Sequence, residues 1–290
     1  MIYVVAAVQS PTLLNILAIS SAWSLRTYAM GDHAGLAETS EMLAPVWDEA
    51  SPAPEVVLVC TPAHRELAMR KWPTARRLWV LHNGYEPGLL PPECENGLAG
   101  VVCFSEKVRW IRQASSRTRC HFVSPAYVVK PLWTWQPNAL WTLRSRPRSR
   151  HDDRDCVFAA VVQGAEHKFY GQGQQAGFAD SETKRRMLVS SSAYVSCLMR
   201  SSGFGLAEHE AFAAGVPVVG GWWGDLAAEL PVEYWSLSHD LYTTADAAKR
   251  LASKPDGAGD LSELGFNYIR KYRSAERMNE SIAELLRQVG

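Results

Sequence analysis

Short runs rich in Val, Leu and Ile recur along the chain, separated by stretches with the polar and apolar spacing of helices. In the first half the runs are Ile2–Val8, Glu55–Cys60, Leu78–His82 and Gly100–Ser105. A helix is expected over Thr61–Lys71, because Pro62 falls in a first-turn position where no backbone N–H is needed. Alternation of this kind predicts parallel α/β layers rather than a β-sandwich. Around Pro125–Pro137 it gives way to irregular sequence containing Pro and Trp, as a domain connection would. Strands are then expected at Asn138–Leu143, Lys168–Tyr170, Ala193–Leu198 and Val216–Gly220, and helices at Asp152–Gln163, Ser181–Ser190 and Leu206–Ala214. In Leu261–Val289 the residues Met278, Ile282, Leu285 and Leu286 recur at helical spacing, which predicts one long closing helix. Two Rossmann-like layers, residues 1–132 and 133–290, account for this pattern most simply.

Composition agrees with a globular chain of that size. With 290 residues, 47% of them hydrophobic, there is material for two domains of roughly 100–200 residues each, far from the composition of a disordered chain. No apolar run approaches the roughly 20 residues that span a bilayer, and no basic-led signal segment opens the sequence, so a cytoplasmic protein without membrane contact is expected. The six cysteines, at positions 60, 94, 103, 120, 156 and 197, include no Cys-x-x-Cys pair and are expected to be reduced and mostly buried. Charge changes the picture more. The 30 basic and 30 acidic side chains cancel overall, yet residues 107–150 hold ten basic ones (Lys107, Arg109, Arg112, Arg117, Arg119, Lys130, Arg144, Arg146, Arg148 and Arg150) and no acidic one. Such a block is either a phosphate-handling surface or a solvated one.

The richest motif is Ser201-Ser202-Gly203-Phe204-Gly205-Leu206-Ala207-Glu208-His209-Glu210-Ala211-Phe212-Ala213-Ala214-Gly215-Val216-Pro217-Val218-Val219. A strand running through a glycine-bearing turn into a helix leaves the first helical N–H groups unpaired, which makes an anion site suited to a diphosphate. Glu210, one to two turns into that helix, can accept a pair of hydrogen bonds from vicinal ribose hydroxyls, and Gly215 ends the helix. Taken as Gly-x-Gly alone, the stretch would be an ordinary helix start in any α/β protein.

The full stretch resembles the C-terminal half of GT-B glycosyltransferases of the retaining family-four type, whose signature is Glu-x-Phe-Gly-Leu-x-x-x-Glu-Ala-x-Ala-x-Gly-x-Pro-Val-Val. The resemblance covers residues 138–290 well and the first half in outline. It implies an α/β GT-B fold, two facing Rossmann-like domains with a cleft between them, and transfer of a sugar from a nucleotide sugar to an acceptor hydroxyl. It also implies that Gly203, Phe204, Gly205, Leu206 and Glu210 bind the donor, and that the position of the family's first glutamate, which contacts the donor sugar, is occupied by Ser202. A short neutral side chain there suggests an altered donor or a water-mediated contact and makes retention less secure. The basic side chains that neutralise the leaving diphosphate correspond to Arg144, Arg146 and Arg148, with Arg144 favoured for catalysis. His82, in Val80-Leu81-His82-Asn83-Gly84, resembles the family's strand-end histidine at the sugar, although a histidine there is more often structural. Asp32 and His33 are the candidate general bases for an inverting reaction. Asp153-Arg154-Asp155 follows an arginine-rich loop and reads as a helix start, so no metal or other cofactor is expected. Trp222 and Trp223, before Asp225, should open another helix at the cleft edge, where they could stack on a sugar or base.

On the acceptor side the basic block is interleaved with aromatics, in Arg109-Trp110-Ile111-Arg112 and around Trp133 and Trp135. Phosphate-tracking cations beside stacking platforms suit nucleic acid. The chain also resembles in outline compact phage enzymes that glycosylate hydroxymethylated pyrimidines in DNA, and this is the leading acceptor reading. Rival readings are a transferase acting on cell-surface polysaccharide or glycolipid, a nucleotide-sugar epimerase, and a non-catalytic GT-B protein that binds nucleotide or nucleic acid. The oligomeric state has no signature in the sequence.

Overall fold

The four apolar runs of the first half all become strands, and they are short because each is buried on both faces. The computed structural model describes residues 2–7, 11–28, 45–81, 90–130, 132–143, 166–170, 186–196, 205–221, 225–231, 233–238 and 240–290. Its first elements are β1 (Ile2–Ala7), α1 (Pro11–Ala18), β2 (Trp23–Thr27), β3 (Val56–Val59), α2 (Pro62–Lys71), β4 (Arg76–Leu81), β5 (Gly100–Cys103), α3 (Glu106–Ser115) and β6 (Cys120–Phe122). All neighbouring strands pair in parallel, in the order β2-β1-β3-β4-β5-β6. Every residue of β3 and β5 is buried, the signature of a sheet covered on both sides. Thr61 starts α2 by accepting a hydrogen bond from the His64 N–H, with Pro62 at the first position as expected.

The second sheet repeats the plan. It contains β7 (Thr134–Leu143), β8 (Glu166–Tyr170), β9 (Ser190–Ser196), β10 (Val218–Gly221) and β11 (Leu237–Ser238), in the all-parallel order β11-β10-β9-β7-β8. Around it lie α4 (Leu206–Ala214), α5 (Leu226–Glu229), α6 (Leu241–Ser253) and α7 (Ala258–Tyr272). Numbered within its own layer, each sheet begins with the order 2-1-3-4-5, which reverses between its first and third strands. In doubly wound sheets the ligand crevice opens at the carboxyl ends of the strands at such a reversal. In the second sheet those strands are β7 and β9.

β7 begins four residues earlier than expected, and Asn138 shows why. The register between β7 and β9 shifts between Trp135 and Leu140, with Asn138 at φ 58°. That bulge accommodates Pro137 inside a strand paired on both sides. Ser192 of β9 repairs the ladder there: its hydroxyl donates to the Gln136 carbonyl (2.5 Å) and accepts from the Ala139 N–H (2.9 Å).

Two expectations need correction. Leu261–Val289 is not one helix but α7 followed by α8 (Ala275–Val289), with Arg273 and Ser274 between them. The break is specified chemically. Ser124 donates to the Tyr272 carbonyl (2.9 Å), Tyr127 N–H donates to the Arg273 carbonyl (3.1 Å), and Ser274 caps α8 by accepting from the Arg277 N–H. The helix expected over Ser181–Ser190 must also end sooner, because Ser190 already belongs to β9. The helix expected at Asp152–Gln163 lies outside the described residues.

The chain divides into two compact units, Met1–Tyr127 with Tyr272–Gly290, and Val128–Arg200 with Gly205–Lys271. The connection therefore falls at Tyr127/Val128 rather than 132/133, and α8 belongs to the first unit. There its apolar side, Met278, Ile282, Leu285 and Leu286, is buried. Hydrogen bonds join Asn279 to Ser20 (2.8 Å), Ser281 to the Ser124 N–H (3.2 Å) and Gln288 to His121 (2.9 Å).

Candidate functional site

In the second unit the sheet reversal places the carboxyl ends of β7 and β9 side by side, at Leu143 and Ser196. In sequence, Arg144 follows the first of these ends, and Gly203–Leu206 follows the second after six further residues. Arg144, Arg146, Arg148, Ser202, Gly203 and Phe204 lie outside the described residues, so the site is built here from Gly205 onward.

Gly205 is the buried, extended N-cap of α4 and offers no side chain to the first-turn amides. Those amides keep the partial positive charge of the helix start. Leu206 begins the helix as the motif predicted, and Gly215 ends it at φ 83°, with its N–H donating to the Phe212 carbonyl (3.0 Å). Glu210 is half-buried. Two residues along a helix is about 200° of rotation, so Glu210 and Glu208 point to opposite sides.

Glu208 points at the sheet. It is 5% exposed and accepts a hydrogen bond from the Ser196 hydroxyl (2.9 Å) at the end of β9. Burial pushes its carboxyl above the usual carboxylate range, and hydrogen bonds from its own backbone N–H and from the Ser196 hydroxyl only partly offset this. His209, 0% exposed, lies 2.6 Å by Nδ1 from the Gly205 carbonyl and 2.8 Å by Nε2 from the Tyr268 hydroxyl. The Tyr268 hydroxyl in turn lies 2.9 Å from Glu229 Oε2. Phe212 packs edge-on against His209, Tyr234 and Tyr268. The motif reading missed Glu208, His209, Tyr268 and Glu229. The signal for Glu208 and His209 was present: two polar residues in a helix whose other buried residues are Ala and Phe.

The remaining candidates are dispersed. β4 ends at Leu81, and His82 lies outside the described residues, as do Asp32, His33, Asp153, Asp155, Trp222 and Trp223. Asp225 is buried and directly precedes α5, so that segment does open a helix. In the first unit Arg109 pairs with Glu106 (2.5 Å) and stacks on Trp110 (4.7 Å), whose ring is 68% exposed. Arg112 turns back onto its own unit, donating to the Leu90 carbonyl (2.5 Å) and lying 3.5 Å from Glu95. In the second unit Trp133 and Trp135 spend their indole N–H groups on the carbonyls of Ser191 (2.9 Å) and Leu251 (2.8 Å). Among the described residues no three His, Cys, Asp or Glu side chains converge as a metal-binding group. No helix among them is long and apolar enough to cross a membrane.

No protein-family model matches the chain, and no curated protein matches it in sequence. Solved structures do match. Anabaena HepE, crystallised with UDP-glucose, superposes with a TM-score of 0.69 over 99% of this chain and 100% of its own, at 12% identity. A glycosyltransferase from Rickettsia africae gives 0.63 over 99% and 98%, at 11% identity. The fold is GT-B. A third GT-B protein, TarM of S. aureus, crystallised with fondaparinux, α-GlcNAc-glycerol and UDP, gives 0.64 at 15% identity over 81% of this chain. The chain spans 55% of TarM's length. At these identities the likeness is one of architecture.

Proposed function

We propose that the protein is a glycosyltransferase that moves a sugar from a UDP-sugar to an acceptor hydroxyl, with the donor held at the head of α4. The observation that carries this reading is the start of α4 at Leu206, where the N-cap Gly205 offers no side chain to the first-turn amides, in the segment that follows the central strand β9 in sequence, with Glu210 one turn inside the helix. UDP is the favoured nucleotide because HepE and TarM were both crystallised with it. On this reading the amides of Gly203–Leu206 and the guanidinium of Arg144 take the diphosphate, Arg146 and Arg148 support it, and Glu210 takes the ribose hydroxyls. His82 and Ser202 are assigned to the sugar. As the bond from the anomeric carbon to the diphosphate breaks, the acceptor oxygen bonds to that carbon. The acceptor proton leaves with UDP, and preorganised positive charge lowers the barrier. The family resemblance favours retention of configuration without a metal ion.

For the acceptor we favour a glycan hydroxyl over a hydroxymethylated pyrimidine in DNA. Two of the arginines that would track nucleic-acid phosphates, Arg109 and Arg112, are engaged with Glu106, Leu90 and Glu95. Trp133 and Trp135 are tied to main-chain carbonyls rather than presented as stacking platforms. The exposed Trp110 remains the residue in favour of nucleic acid.

The test is mass spectrometry of products after incubation with a UDP-sugar panel and two acceptor sets, soluble glycans and hydroxymethylcytosine DNA. Sugar-sized mass gain on a glycan is expected, and gain on the modified base would instead restore the DNA reading. UDP binding without turnover on any acceptor would identify the non-catalytic alternative, which Ser202 favours. An altered free nucleotide sugar would identify an epimerase and overturn the proposal.

A further inference from the structure

The most unusual feature of the second unit is a chain of polar groups buried behind the head of α4, running Glu229, Tyr268, His209, Gly205. A carbonyl oxygen only accepts, so His209 Nδ1, 2.6 Å from the Gly205 carbonyl, carries a hydrogen. Tyr268 has a single hydroxyl hydrogen to divide between His209 Nε2 (2.8 Å) and Glu229 Oε2 (2.9 Å). Only two arrangements satisfy these three contacts together. In one, His209 is an imidazolium that donates at both nitrogens, and Tyr268 donates to the Glu229 carboxylate. In the other, Glu229 is a neutral acid donating to the Tyr268 oxygen, and Tyr268 donates to neutral His209. Each holds one proton more than neutral histidine plus ionised glutamate, a proton that the two residues share through Tyr268. Without that proton, one contact is lost.

The packing is built to allow this chain. α7 approaches α4 so closely that a Cβ at Gly265 would lie 2.5 Å from the Phe212 ring, and that approach brings Tyr268 to His209. An apolar side chain at 209 would fill the space without burying a polar group that must then be satisfied. The groups around the imidazole that carry or can carry charge are Glu208 and Glu210 on α4, Tyr268 on α7 and Glu229 on α5, with Tyr234 behind Phe212.

Building on the donor site proposed above, we infer that His209 is a positioning residue for the donor: the proton-sharing chain through Tyr268 to Glu229 fixes the Gly205 carbonyl and, through the shared peptide plane, the direction of the Leu206 N–H among the first-turn amides that meet the diphosphate. With the proton on His209, a positive charge also sits one turn below those amides, where it favours an anion.

Three readouts on the full chain test this. Nitrogen-15 NMR of the His209 ring in the nucleotide-free protein should show a hydrogen on Nδ1 protected from exchange. In calorimetric titrations Tyr268→Phe, which keeps the ring but removes the link, should bind UDP roughly tenfold more weakly with a matching rise in the donor KM and a smaller change in kcat. Wild-type UDP affinity should fall as the pH is raised and the shared proton leaves. Glu229→Gln can complete the chain without that proton, by donating to Tyr268 while Tyr268 donates to His209, so its affinity should lose this alkaline decline. Thermal melts confirm that each variant is folded. Equal UDP affinity in wild type and folded Tyr268→Phe, or an unprotected Nδ1, overturns the inference. Failure of the wild type to bind UDP would instead sink the donor reading, while the ring NMR still decides whether the chain of bonds exists.

Discussion

Glu208 is the residue with the most direct consequence for stability. Burial raises its folded-state pKa, so the folded protein holds this proton to higher pH than the unfolded chain does. The contribution of the neutral acid is complete below the unfolded value and is lost as pH rises through the folded one. Glu208→Gln keeps an acceptor for the Ser196 hydroxyl and has no proton to lose. The variant should therefore melt higher than wild type at about pH 8, with the gain vanishing at about pH 3, where the glutamate is protonated in both the folded and the unfolded chain. A gain that did not depend on pH would contradict the assignment. Gly265→Ala should destabilise by about 1–3 kcal/mol, because its Cβ would meet the Phe212 ring. At this scale the sequence was legible where residue type and spacing set the ends of α4, as at Gly205, Leu206 and Gly215. The partners of Glu208 and His209 were not legible, since Ser196 and Tyr268 lie 12 and 59 residues away and only the fold brings them together.

Elements were readable wherever local chemistry alone specified them. Thr61 and Pro62 set the start of α2, and the apolar runs set β1, β3, β4 and β5 to within two residues at either end. Two elements depended on distant partners. Pro137 argues locally against a strand, and β7 passes through it because Ser192 of β9 satisfies the bulge. The periodicity of Leu261–Val289 continues across Arg273 and Ser274, yet the chain turns there because Ser124 and Tyr127 take the carbonyls that a continuous helix would use. Ser274→Ala removes the cap of α8 and should cost about 1 kcal/mol, read as a lowered denaturation midpoint at unchanged slope. No change would mean that packing alone places the helix end.

For the whole molecule, the α/β class and the number of layers followed from the alternation of runs, but the assignment of α8 to the first unit did not. Amphipathic spacing shows that a helix will be buried and not against which sheet. Met278, Ile282, Leu285 and Leu286 are buried in the first unit, and at about 1.5–3 kcal/mol each they amount to most of the stability of a typical domain. A chain ending at Tyr272 should thus lose the cooperative unfolding of its first unit, seen as a missing calorimetric transition. Retention of both transitions would show that the first sheet does not need α8. The functional account rests on one point, that the head of α4 is a nucleotide-diphosphate site with Glu210 on the ribose. Calorimetric titration of UDP into the wild-type protein and into Glu210→Ala tests it most directly. Saturable binding by wild type and a loss of roughly tenfold or more in the variant, the scale of hydrogen bonds to a charged group, is the expected result. No binding by wild type, or equal binding by both proteins, would contradict the account.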